Sequence, residues 1–283
     1  MPSEPVTPKP REGGPVTPKH REGGRVLTAT TSHKREPLLP TLEIFGRLGL
    51  VDVDLNLHHI LEKGAAVPDV AAAVAANGLR LWVLSGGWCD FYHRAPQIEE
   101  TFASVARQVA IADTLGVPCV RLFFGRVARA DYTPAALDTI AGNLVRLSHA
   151  HPHVVFVFEN HDGASLDPAV TVEVLGRVAR PNIRMNFDPI NFAKAGVDPM
   201  AALEAVRPFV SHVHLKGLDH GEYCEFGEGD VDLAPVLGSL VDGGYAHCFT
   251  VEYEGRADGT LRLYQSVQRA RAALERFHPS RSA

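Results

Sequence analysis

From Arg25 onward, short runs of β-branched and aromatic residues alternate with longer stretches that carry an apolar stripe at helical spacing, and this rhythm persists to the end of the chain. Eight strand candidates recur: Arg25–Thr31, Leu50–Asn56, Leu79–Ser85, Val117–Gly125, His153–Asn160, Asn182–Asp188, Val210–Lys216 and Cys248–Glu254. Helical stretches lie between and after them: Leu39–Leu48, Pro68–Ala76, Pro96–Leu115, Pro134–Ala150, Pro168–Ala179, Pro199–Val206, Leu233–Asp242 and Leu261–Phe277. Five of these open with proline, whose missing N–H is unneeded in a first helical turn. Eight βα units predict an α/β protein with a closed (β/α)₈ TIM barrel as a single domain, residues 25–283, ahead of an open doubly wound sheet. The doubly wound alternative lacks its glycine fingerprint, because Ala29–Lys34, the turn after the first strand, contains no glycine.

Before the rhythm begins, Pro5–Gly14 and Pro15–Gly24 read PVTPKPREGG and PVTPKHREGG, a tandem repeat of proline, glycine and charge. Such a composition buries too little apolar surface to offset the entropy of ordering it. Residues 1–24 are therefore expected to be a disordered tail.

Composition narrows the partners. A hydrophobic fraction of 45% supplies one large core, and a net charge of −5 gives no general basic field, which disfavours nucleic acid. The cysteines Cys89, Cys119, Cys224 and Cys248 are widely spaced with no CxxC pair, against a disulfide framework or a thiolate zinc site. No apolar run approaches the roughly 20 residues that cross a bilayer. The expectation is a cytoplasmic protein acting on small molecules, with no membrane partner; a homo-oligomer is compatible with the sequence, which does not set the oligomeric state.

The chemistry gathers at the ends of the last four strands. Val154–Phe158 is an apolar run that stops abruptly at Glu159, Asn160 and His161. The sixth strand likewise ends at Asp188, the seventh carries His214 and Lys216, and the eighth runs into Glu252. A carboxylate at one strand end is ordinarily a helix cap or an ion-pair partner. Glu, Asp, His and Glu on successive strand ends are instead the oxygen and imidazole set that a divalent cation takes. Parity puts His212, His214 and Lys216 on one face of their strand, and Thr250, Glu252 and Glu254 on one face of theirs. Arg121 on the fourth strand is an inner counter-ion or a substrate contact. His161, Asn191 and Lys216 are further substrate-binding candidates, as is Glu228, held between Gly227 and Gly229 in a tight turn.

The ordered series FENH, D-x-x-N, HVHLK, GEG and VEYE resembles the sugar isomerase and epimerase group of metal-dependent, xylose-isomerase-like barrels. That group includes ketose 3-epimerases, hydroxypyruvate isomerase, inosose dehydratase and, more distantly, endonuclease IV. The resemblance spans roughly Arg25 to Phe277. It implies that Glu159, Asp188, His214 and Glu252 ligate the metal and that Glu159 and Glu252 shuttle the substrate proton. Asn191 stands where the epimerases usually carry a histidine, and Gly217 replaces the aspartate of the usual HLKD. The nuclease branch needs a D-x-H pair where this chain has Gly221 and Tyr223. Three carboxylates and an imidazole point to Mn²⁺, with Mg²⁺, Co²⁺ or Zn²⁺ as alternatives. Such an ion polarises a hydroxy-ketone towards an enediolate. Epimerisation, aldose–ketose isomerisation and dehydration all remain open from that point, and a non-catalytic sugar-binding barrel is the remaining rival.

Overall fold

The computed structural model describes residues 26–32, 36–255 and 259–277, so the expected tail at 1–24 lies outside the described residues. Eight parallel strands close into a barrel: β1 (Val26–Thr30), β2 (Asp52–Asn56), β3 (Arg80–Ser85), β4 (Cys119–Leu122), β5 (Val155–Glu159), β6 (Ile183–Phe187), β7 (Val210–Leu215) and β10 (Cys248–Val251). Each pairs with its neighbour in sequence, and β10 closes the ring on β1 with Thr250 opposite Thr28. Between β7 and β10 a small antiparallel hairpin, β8 (Gly217–Asp219) and β9 (Glu222–Cys224), rises beside the mouth.

Helices α1 (Leu38–Leu48), α2 (His58–Leu61), α3 (Val67–Ala76), α4 (Gln97–Leu115), α5 (Pro134–Ala150), α6 (Pro168–Val178), α7 (Pro189–Lys194), α8 (Pro199–Val206), α9 (Ala234–Asp242) and α10 (Gly259–Glu275) connect and surround the strands. Their starts follow from local chemistry. A polar side chain precedes the proline of α5, α6, α7 and α8, and Thr133, Asp167, Asp188 and Asp198 each accept hydrogen bonds from first-turn N–H groups. Pro96 falls one residue short of this pattern, standing just before α4.

Strand parity separates two cores. Phe156 and Phe158 of β5 face outward into the large apolar layer beneath the helices. Val155 and Val157 face inward and join Val83 and Cys119 in a small apolar plug inside the barrel. The same parity then turns Glu159 into the mouth, above the plug. Two expected strands, the fourth and the eighth, are shorter than their sequence spans, the eighth ending at Val251. The fourth strand ends at Leu122, leaving 123–125 as loop, and the hairpin, α2 and α7 are additional, each too short to leave a periodic signature.

Candidate metal centre

Four strand ends deliver the expected quartet to one place. Glu159 ends β5, Asp188 follows β6, His214 lies in β7 and Glu252 follows β10, and all four side chains are buried. One ligand atom from each lies within 4.8 Å of all the others. Nδ1 of His214 is the hub, 3.6 Å from Glu159 Oε1, 3.9 Å from Asp188 Oδ2 and 3.4 Å from Glu252 Oε2.

Asp188 shows why a cap and a ligand need not be alternatives. Its Oδ1 accepts the N–H groups of Ile190 and Asn191, both at 2.9 Å, and so caps α7. Its Oδ2 is left facing His214 and Lys216 with no hydrogen bond of standard geometry. Asn160 holds the backbone there, donating to Asp188 O and accepting from Asp188 N, both at 2.8 Å. The buried Nδ1 of His214 likewise makes no hydrogen bond. Orphaned donors and acceptors of this kind are costly inside a protein unless something else satisfies them, and a hard divalent cation suits three carboxylates and an imidazole. The residues present fit such an ion.

Cations flank the acids on both sides. Arg121 Nε stands 3.2 Å from Glu159 Oε2. Lys216, fully buried, reaches Asp188 at 3.0 Å, Glu252 at 3.2 Å and Glu254 at 2.7 Å. Burial by itself would raise the Glu159 carboxyl, but the charges of His214 and Arg121 outweigh it and hold the group at about 2. Burial also works against an ionised Glu252, yet Lys216 and His214 keep it well below the ordinary carboxylate range. At Asp188 burial wins, and its carboxyl is raised despite Lys216. Burial lowers the imidazolium of His214, but Glu159 and Glu252 lift it well above the ordinary value.

The remaining candidates divide. Asn191 is buried: its amide donates to Glu159 Oε1 at 3.1 Å and to Asn160 O at 3.0 Å, and its oxygen accepts from Tyr223 Oη at 2.9 Å. In this arrangement it orients the Glu159 carboxylate. His161 lies at the rim, edge-on to Trp88 and Phe123 at 5.3 and 5.2 Å, and these two rings are stacked 4.2 Å apart. Glu228, expected at the substrate, is half exposed, and its carboxylate meets Arg269 at 2.5 Å. It is not drawn into the cluster, because the loop seats the turn against α10. A cavity of about 530 Å³ beside that loop shares only Lys216 with the cluster.

Three contributors escaped the sequence reading. Tyr223 sits on the hairpin with its ring 4.5 Å from the Lys216 ammonium. Trp88 forms part of the aromatic rim, and Asp54 lies beneath His214. None carries a spacing signal: Asp54 lies in the middle of β2, not at a polar strand end like those of β5 and β6.

Known proteins agree with this architecture. The profile of the xylose isomerase-like TIM barrel family matches residues 48–278. A 3-dehydroshikimate dehydratase of Bacillus anthracis is 23% identical over 128 residues, which is 44% of this chain and 46% of that protein, so the match spans under half of the relative's length. Among solved structures, a probable 3-DHS dehydratase of Bacillus anthracis superposes with a TM-score of 0.73 at 17% identity, covering 87% of this chain and 98% of that one. An L-ribulose 3-epimerase gives 0.74 at 15% identity, covering 90% and 95%. Since the family profile covers most of the chain and the barrel is closed as the family requires, the chain belongs to the xylose isomerase-like TIM barrel family.

Proposed function

We propose that the protein is a divalent-metal-dependent isomerase or epimerase of a small carbohydrate or hydroxy-ketone, in which Glu159 and Glu252 exchange the substrate proton. One observation carries the reading. Two buried carboxylates, delivered from β5 and from beyond β10, converge on the same imidazole nitrogen at 3.6 and 3.4 Å, each beside its own cation. Glu159, Asp188, His214 and Glu252 would hold the ion, with Mn²⁺ the first choice. When bound, it supplies the polarisation that acidifies the C–H beside a carbonyl.

The side chains do the rest. Arg121 keeps Glu159 ionised and the Asn191 amide orients it, so a base is aimed and charged at neutral pH. Lys216 does the same for Glu252. Because both carboxylates favour the ionised form, a proton taken by either is returned readily, to the opposite face or to the adjacent carbon. Lys216, His161 and Arg121 supply the polar lining for substrate oxygens. Glu228 could join them only by giving up Arg269. The substrate is a small molecule and the location cytoplasmic; neither nucleic acid nor membrane is a partner in this reading.

Dehydration is the second reading, and Lys216 favours it. A buried ammonium 3.2 Å from Glu252 can protonate a departing hydroxyl after Glu159 or Glu252 takes the carbon proton. A relative named as a dehydratase points the same way. The test is metal-dependent incorporation of solvent deuterium beside the carbonyl, across ketoses, inososes and small hydroxy-ketones. Glu159→Gln and Glu252→Gln should each lose about 10²–10⁴-fold in turnover. Wild-type turnover in both variants sinks the two-glutamate reading, and an absorbing enone product moves the assignment to dehydration.

A further inference from the structure

Below the quartet the barrel holds a second buried polar group that the proposed chemistry does not use. At its centre is Asp54 of β2, fully enclosed. Its Oδ1 accepts the Ser85 hydroxyl at 2.7 Å. Its Oδ2 makes no hydrogen bond and lies 3.8 Å from Nε2 of both His212 and His214. A carboxylate oxygen sealed from water without a donor is expensive, so one of these imidazoles must turn an N–H towards it. His212 Nε2 is already engaged, 3.0 Å from Thr250 Oγ1, which meets Thr28 Oγ1 at 2.6 Å. His214 Nε2 has no hydrogen bond of its own, while Nδ1 of the same ring faces Glu159, Asp188 and Glu252.

We propose that Asp54 is the positioning residue of the metal centre: it accepts the Nε2 proton of His214 and so fixes the tautomer whose Nδ1 lone pair points at the three carboxylates. This rests on the metal reading of the quartet and adds a residue outside its ligand set. A neutral imidazole offers a lone pair from only one nitrogen, so whichever group claims the proton chooses the ligating atom. A carboxylate behind the ring also stiffens it and makes the ligating nitrogen more basic. Asp54, His212 and His214 also bring ligand atoms within 4.8 Å of one another. A cation there beside one in the quartet would require the His214 ring to surrender both protons, which argues for the positioning role. The competing role is a bolt between β2 and β3 through Ser85, which would leave metal affinity unchanged.

The metal-free protein should be titrated with Mn²⁺ and the free ion read by electron paramagnetic resonance. Asp54→Asn and Asp54→Ala should each bind about 10–100-fold more weakly than wild type, with the melting temperature of the metal-free Asn variant close to wild type. On Zn²⁺-loaded protein with ¹⁵N-labelled histidine, long-range correlations should show His214 bound through Nδ1 and protonated at Nε2. That readout survives even if the Ala variant fails to fold. Wild-type affinity in the Asn variant, or a His214 bound through Nε2, overturns the role of Asp54 while the metal reading stands. If the wild-type protein takes up no Mn²⁺, both readings fall together.

Discussion

On the proposed metal reading, His214 couples the ion to pH. In the metal-free protein burial disfavours its charged form, but Glu159 and Glu252 outweigh burial and leave the ring protonated at neutral pH. A ligand nitrogen must be bare, so an entering cation displaces that proton. Raising the pH removes the competitor, and affinity should therefore climb as pH rises, flattening once the ring titrates in the metal-free state. Calorimetry in two buffers of different ionisation enthalpy should count about one proton released per ion bound at pH 7. Release of none would mean that the ring is already neutral or is not a ligand. The same raised value gives the metal-free fold a contribution that is fully present below the ring's unfolded value and is lost as pH rises through its folded one. Replacing Asp188 or His214 by alanine should lower the metal content of purified protein in elemental analysis, since the remaining acids keep their mutual repulsion without a full set of donors.

Elements act on the site through their ends. The hairpin of β8 and β9 matters because Tyr223 on it fixes Asn191, which in turn aims Glu159. That hairpin is clamped by the loop behind it, where Asp230 N donates to Leu218 O at 2.9 Å. Gly229 makes the clamp possible. Its φ is +85°, and a Cβ there would stand 2.1 Å from Leu218 O. Gly229→Ala should therefore cost roughly 1–3 kcal/mol of backbone strain alone, paid locally by lifting the loop from β8. Hydrogen exchange at Asp230 and along residues 217–224 should accelerate while barrel amides keep their protection. Unchanged exchange in that segment would show that the hairpin is held by other contacts.

At the scale of the whole molecule, closure is what makes the quartet possible. β10 must pair with both β7 and β1 for the carboxylate of Glu252 to arrive opposite Glu159, and β1 begins at Val26. A chain shortened to start at Arg25 keeps every barrel strand. It should fold, bind metal and turn over as the full chain does, and unfolding of the shortened chain would overturn the reading of residues 1–24 as a tail.

Periodicity along the chain was enough to name the barrel, because a parallel strand buried on both faces reads as a continuous apolar run and a surface helix as a 3.6-residue stripe, whatever their neighbours. The quartet was legible for the same reason: strand parity and the C-terminal end of a barrel strand are local properties that place a side chain in the mouth. What stayed hidden depends on pairs far apart in sequence. Glu228 looked like a site residue until α10 brought Arg269 to it. Asn191 was a candidate substrate contact, and its bond from Tyr223, 32 residues later, could not be read from the chain. Asp54 gave no signal on its early strand, and only closure of the ring brings it within 3.8 Å of His214 from the opposite half of the chain. Which polar groups satisfy one another is decided by distance in three dimensions, and the order of residues along a strand carries no record of it.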